Sequence, residues 1–256
     1  MVDHGIPLMN IKEKLAQVED KVVELRKILK DEILPEHDDI LLLKFLLSHH
    51  EDPEEAATWY RKAMVFRKEN ASWLYGEEGP EEEFIRSIFK VKDGMHSRDG
   101  EPIMLARSGE SLKLLRNHDN VVEIMKKFER WSTWQKERIY QECDKLTRTT
   151  GLLHKMYFVN DMAGMQLWTD LRIARGIGSS SKVSEMIHPQ LVEKQYVVNP
   201  PAFIRILFAT VKPFMSKRMA KKVVVVNENN KRTIEEKGTI KDLLGFDHAS
   251  VKFDEE

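Results

Sequence analysis

Cysteine is almost missing from this chain of 256 residues: Cys143 is the only one. No disulfide can close within the chain and no zinc cluster can be built on thiolates, so a reducing compartment is expected. Long apolar runs are missing as well. No stretch reaches the roughly 18 apolar residues that a spanning helix needs. The opening MVDHGIPLMN has no apolar core of signal-peptide length, and Val2 is not a myristoylation glycine. The expected location is therefore cytoplasmic. An excess of charge of one sign is also lacking, with 41 Lys and Arg against 42 Asp and Glu and a net charge of -1. That balance argues against a nucleic-acid binder. The sequence contains no GxSxG elbow, P-loop, HExxH or strand-linked GxGxxG, so no enzyme, metal or cofactor is expected.

What is present divides into two textures. Over residues 1–76 the pattern is helical. Ile11, Leu15, Val18, Val22, Leu25 and Leu29 recur at helical spacing, with Asn10 and Glu13 as a weak capping box and Pro35 as a stop. ILLLKFLL follows Asp38-Asp39, and Asp52-Pro53-Glu54-Glu55 opens a further helix. GEEGPEEE (76–83) reads as a linker, with a short helix from Pro80. From 77 to 256 strands and helices alternate. PIMLARS (102–108) follows the Arg98-Asp99-Gly100 turn signal, and KMYFVND (155–161), QYVVN (195–199) and KVVVVN (222–227) are further strands. A long amphipathic helix covers about 119–149, with Val122, Met125, Phe128, Trp131, Gln135, Ile139, Cys143 and Leu146 along one stripe and Gly151 as its C-terminal cap. The expected fold is α/β: an N-terminal helical lobe packed on a mainly parallel or mixed sheet with crossover helices.

Charge is concentrated in one place. From Lys194 to Asn227 there are seven cations and no Asp or Glu, which leaves about -8 on the rest of the chain. Lys212, Lys217, Arg218, Lys221 and Arg205 surround a greasy run holding Phe203, Ile204, Ile206, Leu207, Phe208, Val211, Phe214 and Met215. Two readings fit: a buried core helix with a solvated basic rim, or a helix that meets an anionic membrane. Other candidates read as structural. Gly176-Ile177-Gly178-Ser179-Ser180-Ser181 is a plain loop rather than a phosphate cradle. His49-His50 is a solvated helix end, Cys143 an inert packing thiol, and the Trp131/Trp134 pair a packing element.

Three motifs in order carry a family resemblance: His188-Pro189-Gln190, Asn199-Pro200-Pro201 and Lys212-Pro213-Phe214-Met215-Ser216. With Asp161-x-x-Gly164 and the helical stretch from Asp38, they resemble the CRAL-TRIO lipid-binding proteins over roughly residues 10–250. The resemblance implies a sheet flooring an apolar cavity, closed by a mobile gate helix over about Pro201–Met215. It implies lipid contact from Met156, Phe158, Gln190, Phe203, Leu207, Phe208, Val211, Phe214 and Lys222. Membrane contact would fall to Arg205, Lys212, Lys217, Arg218 and Lys221. Gln190 stands where phosphatidylinositol-binding members have a Glu that pairs with a later Lys, matched here by Lys222. Met156 and Phe158 stand where small hydroxyl residues help to bind phosphatidylcholine. The expected partner is thus a lipid or a less polar, isoprenoid-type ligand, carried by a monomer in transient contact with anionic membranes. The alternative is a membrane-recruited, lipid-sensing interaction module in signalling.

Overall fold

The computed structural model describes residues 8–116, 118–166, 170–226 and 240–253. Asn227, at the end of the last expected strand, lies outside the described residues, as do the outermost residues of both expected lobes.

The N-terminal lobe consists of α1 (Ile11–Gln17), α2 (Glu19–Leu29), α3 (Asp39–Ser48), α4 (Pro53–Glu69) and the short α5 (Ala71–Leu74). Side-chain caps fix three starts: Asn10, Asp38 and Asp52 accept from the backbone N–H of Glu13, Leu41 and Glu55 at 3.1, 3.2 and 3.0 Å. The first helical pattern is broken at Val18, which caps α1 with φ -123°. α2 stops at Leu29, where Lys30 takes a φ of +47°, so the helix ends well before Pro35. Leu25, Leu29, Leu42, Leu43, Phe45, Leu46 and Tyr60 are buried together, and Leu153 and Ile187 from the second lobe complete the same core. The two lobes therefore share packing.

The second lobe runs α6 (Glu82–Ile88), β1 (Val91–His96), β2 (Pro102–Arg107), α7 (Ser108–Leu115), α8 (Val121–Thr150), β3 (Met156–Asp161), α9 (Leu171–Ile187), β4 (Val192–Val198), α10 (Ile204–Val211), α11 (Lys217–Lys222), β5 (Val223–Val225) and α12 (Ile240–Leu244). The sheet order is β1-β2-β3-β4-β5. Only β1–β2 is antiparallel; the other three pairings are parallel, with helical crossovers.

Strand alternation sorts the sheet into two faces. Ile103, Leu105, Tyr157, Val159 and Val198 pack with Ile240 and Leu244 of α12. On the opposite face the register aligns two rows: Met104–Phe158–Gln195–Val223 and Ala106–Asn160–Val197–Val225. α8, α9 and α10 cover that second face.

Two expectations change. The buried stripe of α8 starts with Val121, Ile124 and Met125, whereas Val122 is exposed. The Gly/Ser stretch 176–181 is not a loop but the middle of α9. A Cβ on Gly178 would come within 2.4 Å of Phe214 Cβ and 2.7 Å of the Phe214 carbonyl oxygen. The small residues permit helix packing at close range, which outweighs their weak helix propensity.

Candidate functional site

A cavity of about 220 Å³ lies between the second face of the sheet and its helical cover. Its floor is the two residue rows just described, apart from Val225. Phe128, Trp131, Ser132, Gln135 and Lys136 of α8 and Ile173, Ile177, Ser180, Ser181 and Ser184 of α9 form one side. Ile204, Leu207, Phe208 and Val211 of α10, followed by Met215 and Met219, close the other. The lining is mostly aliphatic and aromatic, and such a surface favours apolar guests.

The wall formed by α10 is thin. Leu207 is its only fully buried residue, and Ile206 on the outer side is 54% exposed. A buried core helix, one of the two readings of this greasy run, would show more.

Polar groups in the cavity are few. Ser132 and Ser180 hydroxyls are 2.7 Å apart, and Lys136 Nζ donates to Ser180 Oγ at 3.2 Å. Burial brings the Lys136 ammonium down to about 8 against the opposing pull of Glu129 and Glu185. Gln135 donates to Asp93 at 3.1 Å, but among the described residues its Oε1 has no partner. Trp131 Nε1 and Asn160 Oδ1, on two other lining residues, are likewise unpartnered.

Behind α9 the lobes join through a buried ionic cluster. Arg67 of α4 donates to both Glu137 of α8, at 2.9 Å, and the Ile187 carbonyl, at 2.7 Å. His188 Nε2 lies 2.9 Å from Glu137 Oε2. Burial alone would raise the Glu137 pKa, yet His188 and Arg67 hold it down to about 2.

Residues 94–244 match the family model for the CRAL/TRIO domain, well over half of the chain. The chain belongs to the CRAL/TRIO domain family. It is 20% identical over 219 residues to the SEC14 cytosolic factor of Eremothecium gossypii, a match covering 82% of this chain and 69% of that protein. It is 24% identical over 210 residues to the phosphatidylinositol/phosphatidylcholine transfer protein SFH12 of Arabidopsis thaliana, covering 78% of this chain but 38% of the plant protein. The crystal structure of Sfh5 superposes with a TM-score of 0.64 at 15% identity, covering 95% of this chain and 89% of that one. That likeness establishes the fold.

In this CRAL/TRIO chain the sequence-expected residues separate into two groups. Met156, Phe158, Leu207, Phe208 and Val211 all line the cavity. Phe203, Gln190, Phe214 and Lys222 do not. Phe203 packs on the core beside α10, and Phe214 sits on Gly178. Gln190 Nε2 donates to Ser48 Oγ of the N-terminal lobe at 3.2 Å. Lys222 Nζ donates to the Val192 carbonyl, and burial first, then Lys155 and Arg218, brings its pKa to about 8. Gln190 and Lys222 instead border a separate cleft of only about 10 Å³, no larger than a water site. Of the basic set, Arg205, Lys212, Lys217 and Lys221 are exposed. Arg218 is engaged, donating to the Ser48 carbonyl at 2.8 Å and lying 3.5 Å from Glu185.

The motifs largely fasten the chain. Asp161 Oδ1 accepts from Ala163 N and from Asn199 Nδ2, each at 2.9 Å, joining two motifs. Gly164 turns the chain with φ +72°, and Asn199 takes φ +48°. Ser216 donates to Glu185 at 2.6 Å and caps α11 by accepting from Met219 N.

Sequence reasoning passed over Lys136 and Ser132, and read Ser180 only as part of a plain Gly/Ser loop. The spacing of four between Ser132 and Lys136 on α8 was the one available signal, yet a lysine on an amphipathic helix normally reads as solvated. His49 also departs from expectation. It is buried and stacked on Trp59 with centroids 5.1 Å apart, and burial holds its pKa down to about 4.

Proposed function

We propose that this protein binds a lipid or other hydrophobic molecule in the cavity and passes it to or from membranes by outward movement of α10. The observation that carries the reading is α10 itself: Leu207, Phe208 and Val211 face the cavity, while Ile206 and Arg205 are exposed on the far side. A wall apolar toward the cavity, with an exposed isoleucine beside a cation on its outer side, suits a boundary that moves from cavity to membrane interface. The name of the Arabidopsis thaliana relative, a phosphatidylinositol/phosphatidylcholine transfer protein, supports the same activity.

Burying an alkyl chain stabilises a complex by about 0.8 kcal/mol per CH₂, so a single chain suffices for firm retention. The volume of about 220 Å³ lies below the roughly 300–1,000 Å³ of ordinary ligand pockets. In the closed form it suits one chain or a compact ring system. A two-chain phospholipid requires α10 to move.

The test is extraction of natively purified protein with organic solvent and mass spectrometry of the extract. One dominant lipid at near-stoichiometric amount is the expected result. An empty protein that also fails to exchange labelled lipid between vesicles would overturn the proposal in favour of a lipid-sensing interaction module.

A further inference from the structure

The structure assigns an anion-binding position inside the cavity: Lys136 Nζ, set by Ser180 and Ser132, is placed to hold the oxyanion head of a single-headed amphiphile. This rests on the cavity reading above and names the chemistry of its guest. The three residues line the cavity, one turn apart on α8 and opposite on α9.

Proton accounting gives the arrangement its direction. An ammonium has three donors and no acceptor. Lys136 uses one on Ser180 Oγ at 3.2 Å. Ser180 then turns its own proton to Ser132, 2.7 Å away, and Ser132 turns its proton to the Glu129 carbonyl at 3.2 Å. The chain Lys136–Ser180–Ser132–Glu129 thus ends on a carbonyl that can only accept and that also takes the Thr133 hydroxyl at 2.7 Å, and in this arrangement all three links point one way. Two donors of the ammonium remain. Among the described residues Lys136 forms no ion pair: Glu185 is taken by Ser216 at 2.6 Å and by Arg218 at 3.5 Å. Glu129 and Glu185 act on it at longer range.

A cation that borders an apolar cavity with one hydrogen bond is incompletely compensated. A guest with a hydrocarbon tail and one negatively charged oxygen group supplies both missing acceptors and the counter-charge, while its tail meets Phe128, Phe158 and Leu207. The neighbouring hydroxyls do not compete for the guest, since Ser181 and Ser184 are directed to Glu185 and His188 at 3.4 Å each. The position is distinct from the neighbouring Lys222 cleft, where the basic group is already bound to a backbone carbonyl. Carboxylate and phosphate share the required chemistry.

Delipidated protein is titrated with oleate, with oleoyl lysophosphatidate and with oleyl alcohol, each displacing an uncharged fluorescent alkyl probe. The wild type is expected to bind at least one anionic ligand tenfold or more tightly than the alcohol, and the tighter of the two names the head group. Lys136→Met is expected to abolish that preference, read as the ratio of anion to alcohol affinity within the variant. Ser180→Ala is expected to reduce the preference partly. Equal wild-type affinity for alcohol and both anions overturns the inference, whatever the variants do. So does an unchanged preference in Lys136→Met, which makes the lysine a hydrated tie between α8 and α9. If none of the three ligands binds, the cavity reading fails, which is distinct from failure of the anion position alone.

Discussion

His188 Nε2 stands 2.9 Å from Glu137 Oε2, and both residues are almost wholly buried. Arg67 reaches the same carboxylate from the helical lobe at 2.9 Å, so one carboxylate joins three segments. The Glu137 carboxylate is ionised, which requires the neutral imidazole to carry its proton on Nε2; Nδ1 then faces the Ser184 hydroxyl at 3.4 Å. Glu137→Ala leaves Arg67 buried without its counter-charge. A loss of about 3–5 kcal/mol in urea unfolding is expected, the scale of breaking a buried pair from one side. A change under 1 kcal/mol would count against a structural role for the cluster.

Stability should fall on the acid side in two stages. Burial holds both His188 and His49 down to about 4, against 6.5 when unfolded. Between those values the unfolded chain binds more protons, so stability present above about pH 6.5 is lost as the pH falls through 4. The depressed Glu137 carboxyl adds a further loss from its ordinary 4.5 toward 2. Urea midpoints at pH 7.5, 5.5 and 4.5 should decrease in that order. A midpoint independent of pH would contradict the assignment.

The two sides of α10 should behave differently on mutation. Leu207→Asp places a charge against the cavity and should abolish ligand retention. Ile206 is half exposed, so Ile206→Asp should leave stability within about 0.5 kcal/mol, as for ordinary surface changes. It should nevertheless slow exchange between vesicles. Unaltered exchange in Ile206→Asp would mean that this side never meets the membrane.

Gly178→Ala should loosen the far end of the same wall. The new methyl would overlap Phe214 Cβ and its carbonyl oxygen at 2.4 and 2.7 Å. The backbone must retreat, at about 1–3 kcal/mol for overpacking. Faster ligand release, read by stopped-flow dilution, is the expected outcome. Release at the wild-type rate would show that Phe214 can shift without disturbing α10.

The architecture was legible in the sequence because periodicity and turn residues agree there. The strand runs at 102–108 and 155–161, the amphipathic stripe of α8 and the Asp52-Pro53 start all correspond to observed elements. α9 was obscured because Gly176, Gly178 and three serines are poor helix formers, and close packing that overrides propensity leaves no local trace. The cavity was legible only where residues are apolar on a strand or on α10. Lys136 escaped notice because burial of a lysine depends on what packs opposite, here Ser180 some 44 positions further along. Gln190 and Lys222 were read as ligand contacts, but the nearby Ser48 hydroxyl and Val192 carbonyl take their hydrogen bonds.

Asn199 is tied to Asp161 before α10, and Ser216 is tied to Glu185 after it. If α10 moves as proposed, a segment held at both ends keeps a nearly constant chord, so its easiest excursion would be rotation about that line, as a bucket handle turns on its lugs. Such a movement needs no unwinding of α10 and no separation of the lobes. It also fixes which surface leads. In the proposed movement the amplitude would be governed by how far Phe214 can lift from Gly178, and that close packing point would act as the stop that sets the closed position.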